Sequence, residues 1–152
     1  MRLCEWLSPS RIIIPLQGRD KPSIMRELIS CWADPEMVTV LTAEVLKREQ
    51  KMTTGIGLSV AIPHAYSDLI DRFQLAVGIV PGGIDFQSID YKPVHLIFLD
   101  IVPQAHLNQH REYLQYLSGI LYREDRRELL SHALNAADFL ESLAMIEEGI
   151  DR

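Results

Sequence analysis

The chain has 152 residues, 47% hydrophobic and 24% charged, with a formal net charge of −6 from 21 acidic and 15 basic side chains. A chain of this length buries enough surface for one real core, so neither a disulfide nor a structural metal is required to hold it together. Lys and Arg are scattered, and the densest basic stretch, Arg123 to Arg127, is broken by Glu124 and Asp125, which excludes a duplex nucleic-acid binder.

Near the start, Pro9, Arg11 and Pro15 interrupt any apolar core of a secretory leader, and Cys4 and Cys31 stand apart without CxxC spacing. Both features point to reduced thiols in a cytoplasmic protein. Ile12-Ile13-Ile14, β-branched and bounded by Pro9 and Gly18, reads as a short buried strand. Asp20 followed by Pro22 opens a helix whose face carries Ile24, Leu28 and Trp32, and Asp34-Pro35 is read as its end. Thr42 is read as the cap of a second helix reaching about Met52.

Thr53 to Gly57 breaks that helix, and Val60-Ala61-Ile62 forms a short strand stopped by Pro63. Phe73–Val80 and Val94–Val102 are the two clearest strands, with Pro81-Gly82-Gly83 as the turn after the first. The second carries His95 and Asp100 and is too short to span a membrane, so no direct membrane insertion is expected. From His106 the pattern is helical to the end, in three pieces broken near Tyr122–Asp125 and Ala133–Asn135. Strands in the first two-thirds, with helices before, between and after them, indicate an α/β three-layer sandwich. No linker or repeat divides residues 1–152.

The chemistry concentrates in Arg48-Glu49, then Thr53-Thr54-Gly55-Ile56-Gly57-Leu58-Ser59 and Val60-Ala61-Ile62-Pro63-His64-Ala65. Pro63 biases Ile62 to an extended conformation and fixes its own φ, so the chain reaches His64 with little freedom. An imidazole offers a neutral nucleophilic nitrogen near pH 7, which suits phosphoryl carriage. Candidate donors to phosphoryl oxygens are the amides around Gly55 and Gly57, the Thr54 and Ser59 hydroxyls, and the Arg48 guanidinium. On spacing alone, a surface-loop histidine beside a glycine-shaped turn remains an equal reading.

Arg48-Glu49, Thr53-Thr54-Gly55-Ile56-Gly57 and Ala61-Ile62-Pro63-His64 resemble the signature of the fructose/mannitol-type enzyme IIA family of the bacterial phosphotransferase system, which includes the nitrogen-regulatory IIA proteins. The stretches Asp85–Asp90 and Pro93–Phe98 are similar to that family's next strand and its approach. So is the helix with His110, Leu114, Leu117 and Leu121 to the helix that follows, and the likeness runs from about residue 10 to 145. The resemblance implies one IIA-like domain with a mixed central sheet flanked by helices on both faces, and phosphorylation of His64. It implies a histidine phosphocarrier protein as donor, and a IIB transporter component or a regulated protein as the next partner. Leu58-Ser59 stand where the family usually has Gly or Asn-Gly, and Ala65 where it usually has Gly, and each substitution restricts the backbone. The absence of an attached IIB or IIC segment favours a stand-alone, regulatory protein, with a sugar-specific component and a non-phosphorylated binding module as alternatives.

His110 heads a helical stripe, so pattern alone makes it a buried boundary histidine; the resemblance instead makes it the second histidine beside His64. His106 and His110 have the i, i+4 spacing of a helical zinc site, but His-Leu-Asn-Gln-His lacks the glutamate of HExxH and a third ligand. No metal and no cofactor is therefore expected. Gly57-Leu58-Ser59-Val60-Ala61 approaches a nucleophile elbow, yet Pro63 forbids the helix that an elbow needs directly after its serine.

Overall fold

Residues 1–150 are described by a computed structural model. A four-residue helix α1 (Leu3–Trp6) leads through a 3-10 turn to β1 (Ile12–Ile13), then α2 (Lys21–Ser30) and α3 (Pro35–Lys51). Three short strands follow, β2 (Gly55–Gly57), β3 (Val60–Ala61) and β4 (His64–Tyr66), then the long β5 (Gln74–Ile84) and β6 (Val94–Val102). The described residues end in α4 (Leu107–Leu121), α5 (Glu124–Ser131) and α6 (Ala136–Ile150). Among these residues no helix is long and apolar enough to cross a membrane.

The sheet has the order β1-β5-β6-β3-β2, with β4 also on β6. It is mixed: β1 is parallel to β5, β3 and β4 are parallel to β6, and the β5–β6 and β2–β3 pairs are antiparallel. Strand alternation divides the core in two. Leu96 and Phe98 join Tyr113, Leu117, Leu130, Phe139 and Leu143 from α4, α5 and α6. Ile97, Leu99 and Ile101 point the other way, onto Ile24, Leu28, Leu41 and Val45 of α2 and α3. Helices on both faces of a mixed sheet are the expected architecture.

Three readings of local structure change. Asp34-Pro35 opens α3 instead of closing the helix before it: the Asp34 carboxylate accepts from the Met37 amide at 2.9 Å, and Pro35 occupies the first helical position, where a missing N–H costs nothing. Thr42 is accordingly not a cap but a buried residue inside α3. Likewise Pro81-Gly82-Gly83 is no turn; β5 runs on through an irregularity to Ile84, which pairs with Val94. The short helix α1 was not foreseen at all. Its first amides, Leu3 and Cys4, donate to buried Glu147 of α6 at 2.6 and 2.8 Å, a long-range contact that no local pattern announces.

The two loop departures from the family pattern carry backbone strain, whereas Ala65 does not. Leu58 and Ser59 have φ of 59° and 64°, the left-handed region that glycine favours. Ala65 lies extended and buried in β4, without positive φ. Leu58 is 53% exposed, so Leu58→Gly removes the strain and little packing. Thermal unfolding of Leu58→Gly is expected to show a gain of up to about 1 kcal/mol; a loss would mean that the loop costs Leu58 nothing.

Candidate phosphoryl-transfer site

His64 sits where a strand is broken without losing its register. Val60 and Ala61 pair with Leu96 and Ile97, and His64, Ala65 and Tyr66 pair with Asp100, Ile101 and Val102, a constant offset across Pro63. Pro63 is tolerated because its carbonyl still accepts from the Asp100 amide at 3.1 Å, while its missing N–H falls where β2 no longer flanks the strand. The continuous register also sets direction. Val60 and Ile62 face the α4 side and Ala61 and Ala65 the α3 side, so alternation turns His64 and Tyr66 toward α4, beside Asp100.

There they meet His110 from the first turns of α4. The His64 and His110 ring centroids are 5.1 Å apart, and Tyr66 lies edge-on to His110 at 5.2 Å. His64 Nδ1 is 3.0 Å from the Ile62 carbonyl oxygen. A carbonyl can only accept, so Nδ1 carries the proton and Nε2 keeps its lone pair. Tyr66 Oη and His110 Nδ1 are 2.8 Å apart, and His110 Nε2 lies 2.8 Å from Oδ2 of Asp100. The two atoms of that last contact have no other polar partner, and Asp100 Oδ1 has none at all.

Asp100 has no exposed surface, and burial raises its carboxyl pKa, with the His110 and His64 rings pulling it partly back. Burial also raises the Tyr66 phenol, the Asp100 carboxyl adds to the rise, and the guanidiniums of Arg48 and Arg111 oppose it. Arg48 and Arg111 therefore lie within electrostatic reach of Tyr66. Arg48 donates through Nη1 to the Met52 carbonyl at 2.9 Å, which holds the guanidinium at the end of α3.

The other candidates have different neighbours. Thr54 is buried; its hydroxyl donates to Glu49 Oε2 at 2.6 Å and its amide to Oε1 at 2.9 Å. Gly55 packs on Ser88, where a Cβ would come within 2.4 Å of the hydroxyl oxygen, and its carbonyl accepts from the Ile89 amide. Gly57 lies against Asp90, and the Ser59 carbonyl accepts from the His95 and Leu96 amides. Asp100 is four residues farther along β6 than Leu96, roughly 13 Å, so Ser59 and Gly57 sit toward the opposite end of the strand from His64. The structure thus brings His64 and His110 together, leaves Arg48 on the Met52 carbonyl within electrostatic reach of Tyr66, and turns the Thr54 hydroxyl inward. A cavity of about 720 Å³, lined by Leu58, Ser59, His95, Arg127 and His132, lies at that far end and does not include His64.

Sequence reasoning missed Asp100, Tyr66 and Arg111. For Asp100 a signal existed: a carboxylate inside the apolar run Val94–Val102 demands a partner when buried. Tyr66 was two residues beyond His64, on the same face of an extended chain. Nor does His110 group with His106; among the described residues it forms a set of three potential ligands with His64 and Asp100.

Comparison with known proteins settles the family. The description "Phosphoenolpyruvate-dependent sugar phosphotransferase system, EIIA 2" matches residues 5–145. The chain belongs to this family. A fructose-specific EIIA component of Haloferax volcanii is 38% identical over 104 residues, 68% of each chain. A nitrogen regulatory protein of Pseudomonas aeruginosa is 28% identical over 98% of this chain and 99% of its own length. Against the fructose-specific EIIABC component of Bacillus subtilis, 30% identical over 136 residues, the chain spans only 21% of the larger protein. Among solved structures, the nitrogen regulatory IIA-Ntr of Neisseria meningitidis superposes with a TM-score of 0.84 at 26% identity, covering 93% of this chain and 98% of that one. The Escherichia coli mannitol IIA, at 21% identity and a TM-score of 0.74 over 90% and 98% of the two chains, shares the fold. The enzyme IIA family thus includes both nitrogen-regulatory and sugar-specific relatives of this chain.

Proposed function

We propose that this enzyme IIA domain, in a cytoplasmic setting, accepts a phosphoryl group on Nε2 of His64 from a histidine phosphocarrier protein. In this reading the phosphorylation state is then read by a partner protein, as in a nitrogen-regulatory IIA. The observation that carries it is the single hydrogen bond from His64 Nδ1 to the Ile62 carbonyl, which leaves Nε2 as a bare lone pair beside His110. That lone pair forms the new N–P bond in line as the donor's N–P bond breaks, and the leaving imidazole keeps the electron pair. No proton has to move at Nδ1. His110, fixed by Tyr66 and Asp100, forms the wall beside the transferring group, and Arg48 supplies a cation for its charge.

The end-to-end match to the Pseudomonas nitrogen regulatory protein and the fit to the Neisseria IIA-Ntr support the regulatory branch. A second reading, transfer to a IIB component of a sugar transporter, is favoured by the 38% identity to the Haloferax fructose-specific component. It also has a precedent of interaction in the solved complex of Escherichia coli mannitol IIA with phosphorylated IIB.

The test is incubation with a phosphorylated histidine carrier, followed by location of the label. One phosphoryl group per chain is expected, lost in acid and retained in base as a phosphoramidate is, and subsequent transfer to a fructose-type IIB would select the second reading. A chain that stays unlabelled with several competent donors is instead a binding module on the same fold. Arg48→Ala is expected to slow labelling by about tenfold or more, the effect of one charge-assisted hydrogen bond. An unchanged rate would reduce Arg48 to its contact with Met52.

A further inference from the structure

We propose that the unphosphorylated chain holds one divalent cation of the zinc class between His64, Asp100 and His110, and that cation and phosphoryl group exclude each other at His64. One ring nitrogen from each histidine and one Asp100 oxygen all lie within 4.8 Å of one another. Asp100 Oδ1 is a buried polar atom with no hydrogen-bond partner, and Asp100 Oδ2 and His110 Nε2 have only each other, on side chains that are 0% and 2% exposed. Such atoms are costly in a packed interior unless something satisfies them. A cation drawn to the Asp100–His110 contact satisfies both sides at once.

The donor set selects the metal. Two imidazoles and one carboxylate, with a fourth position open toward solvent past partly exposed His64, is a zinc-type site. Calcium and magnesium ask for oxygen-only shells, and cuprous ions for sulfur; Cys4 and Cys31 are not in the cluster. The outer contacts that orient metal-bound histidines are already made: His64 Nδ1 donates to the Ile62 carbonyl, and His110 Nδ1 is 2.8 Å from the Tyr66 hydroxyl. Zinc lies about 2.0–2.2 Å from N and O donors, so three ligands must stand roughly 3.5 Å from one another. The 2.8 Å Asp100–His110 contact opens slightly, and His64 moves in by about 1 Å. His110 ligates through Nε2 in its other tautomer, with Nδ1–H now donating to Tyr66, so no net proton is released.

Cation binding stands independently of the phosphoryl reading; the exclusion rests on it, because both occupants would use the same His64 lone pair. The probe is Co(II) titrated into purified, unphosphorylated chain. A 1:1 complex with visible d–d bands of low coordination number is expected, bleached by Zn(II). His64→Ala and His110→Ala should each abolish the bands, and Tyr66→Phe should weaken binding by about 10–100-fold. His64→Ala decides even where the buried variant fails to fold, since the His64 ring is partly exposed; circular dichroism verifies its fold. Bands that survive in His64→Ala, or none in wild type with excess Co(II), overturn the site. For the exclusion, zinc-loaded chain should take no label from the phosphorylated carrier until chelator is added, and unchanged labelling of zinc-loaded chain overturns it. A chain that takes no label even without metal refutes the phosphoryl reading and the exclusion with it, while the cobalt bands judge the cation site separately.

Discussion

His64→Ala is expected to take no label from a phosphorylated histidine carrier while unfolding at nearly the wild-type temperature. The two halves of this expectation have separate causes. The ring is only partly buried and its one protein hydrogen bond goes to the carbonyl of Ile62, two residues away, so its loss leaves no distant group unsatisfied. None of His95, His110 and His132 replaces the nucleophile. His110 Nδ1 is occupied by Tyr66 and its Nε2 faces a buried carboxylate, and His95 and His132 line the cavity at the far end of β6. Label on His110 in the variant would show that the pair shares the nucleophilic role. Retained label elsewhere would mean that the open lone pair of His64 is incidental.

The largest expected effect on stability comes from Glu49, which the sequence signature presents beside Arg48 as if both belonged to the chemistry. Its carboxylate is buried and accepts from Lys21 Nζ at 2.8 Å, the Thr53 hydroxyl at 3.1 Å, the Thr54 amide at 2.9 Å and the Thr54 hydroxyl at 2.6 Å. One side chain thus joins α2, α3 and the loop that leads into β2. Glu49→Ala strands a buried amide, a buried hydroxyl and an ammonium at once. The cost should be about 3 kcal/mol, the lower end for one-sided loss of a buried ion pair, because Lys21 keeps some access to water. For a domain of this size that lowers Tm by roughly 6–12 °C. Glu49→Gln, which keeps one acceptor oxygen, should recover part of the loss. A Tm within a degree of wild type would show that the network is matched by water in the unfolded chain, and that the Arg-Glu and Thr-Thr-Gly elements are linked for another reason.

What the sequence by itself determined is what local chemistry can encode. Pro63 before His64 is visible in the chain and dictates a stiff approach to the histidine; the apolar runs of β5 and β6 read directly as buried strands. The stripe on His110, Leu114, Leu117 and Leu121 locates α4, because periodicity of this length has few alternatives. Asp34-Pro35 was legible only as a helix boundary, since the same pair can close one helix or open the next; α2 already ends at Ser30, so here the pair opens α3. Only the tertiary structure decided which groups meet. The constant register of β3 and β4 on β6 puts Asp100 opposite His64 from 36 positions away, and the crossing of α4 brings His110 over both. Pairing register and helix placement are set by the packing of two apolar layers summed over dozens of contacts, not by any one segment. The same packing turned Thr54 inward to Glu49 and carried Gly57 and Ser59 toward the far end of β6, although in the sequence they lie within ten residues of His64.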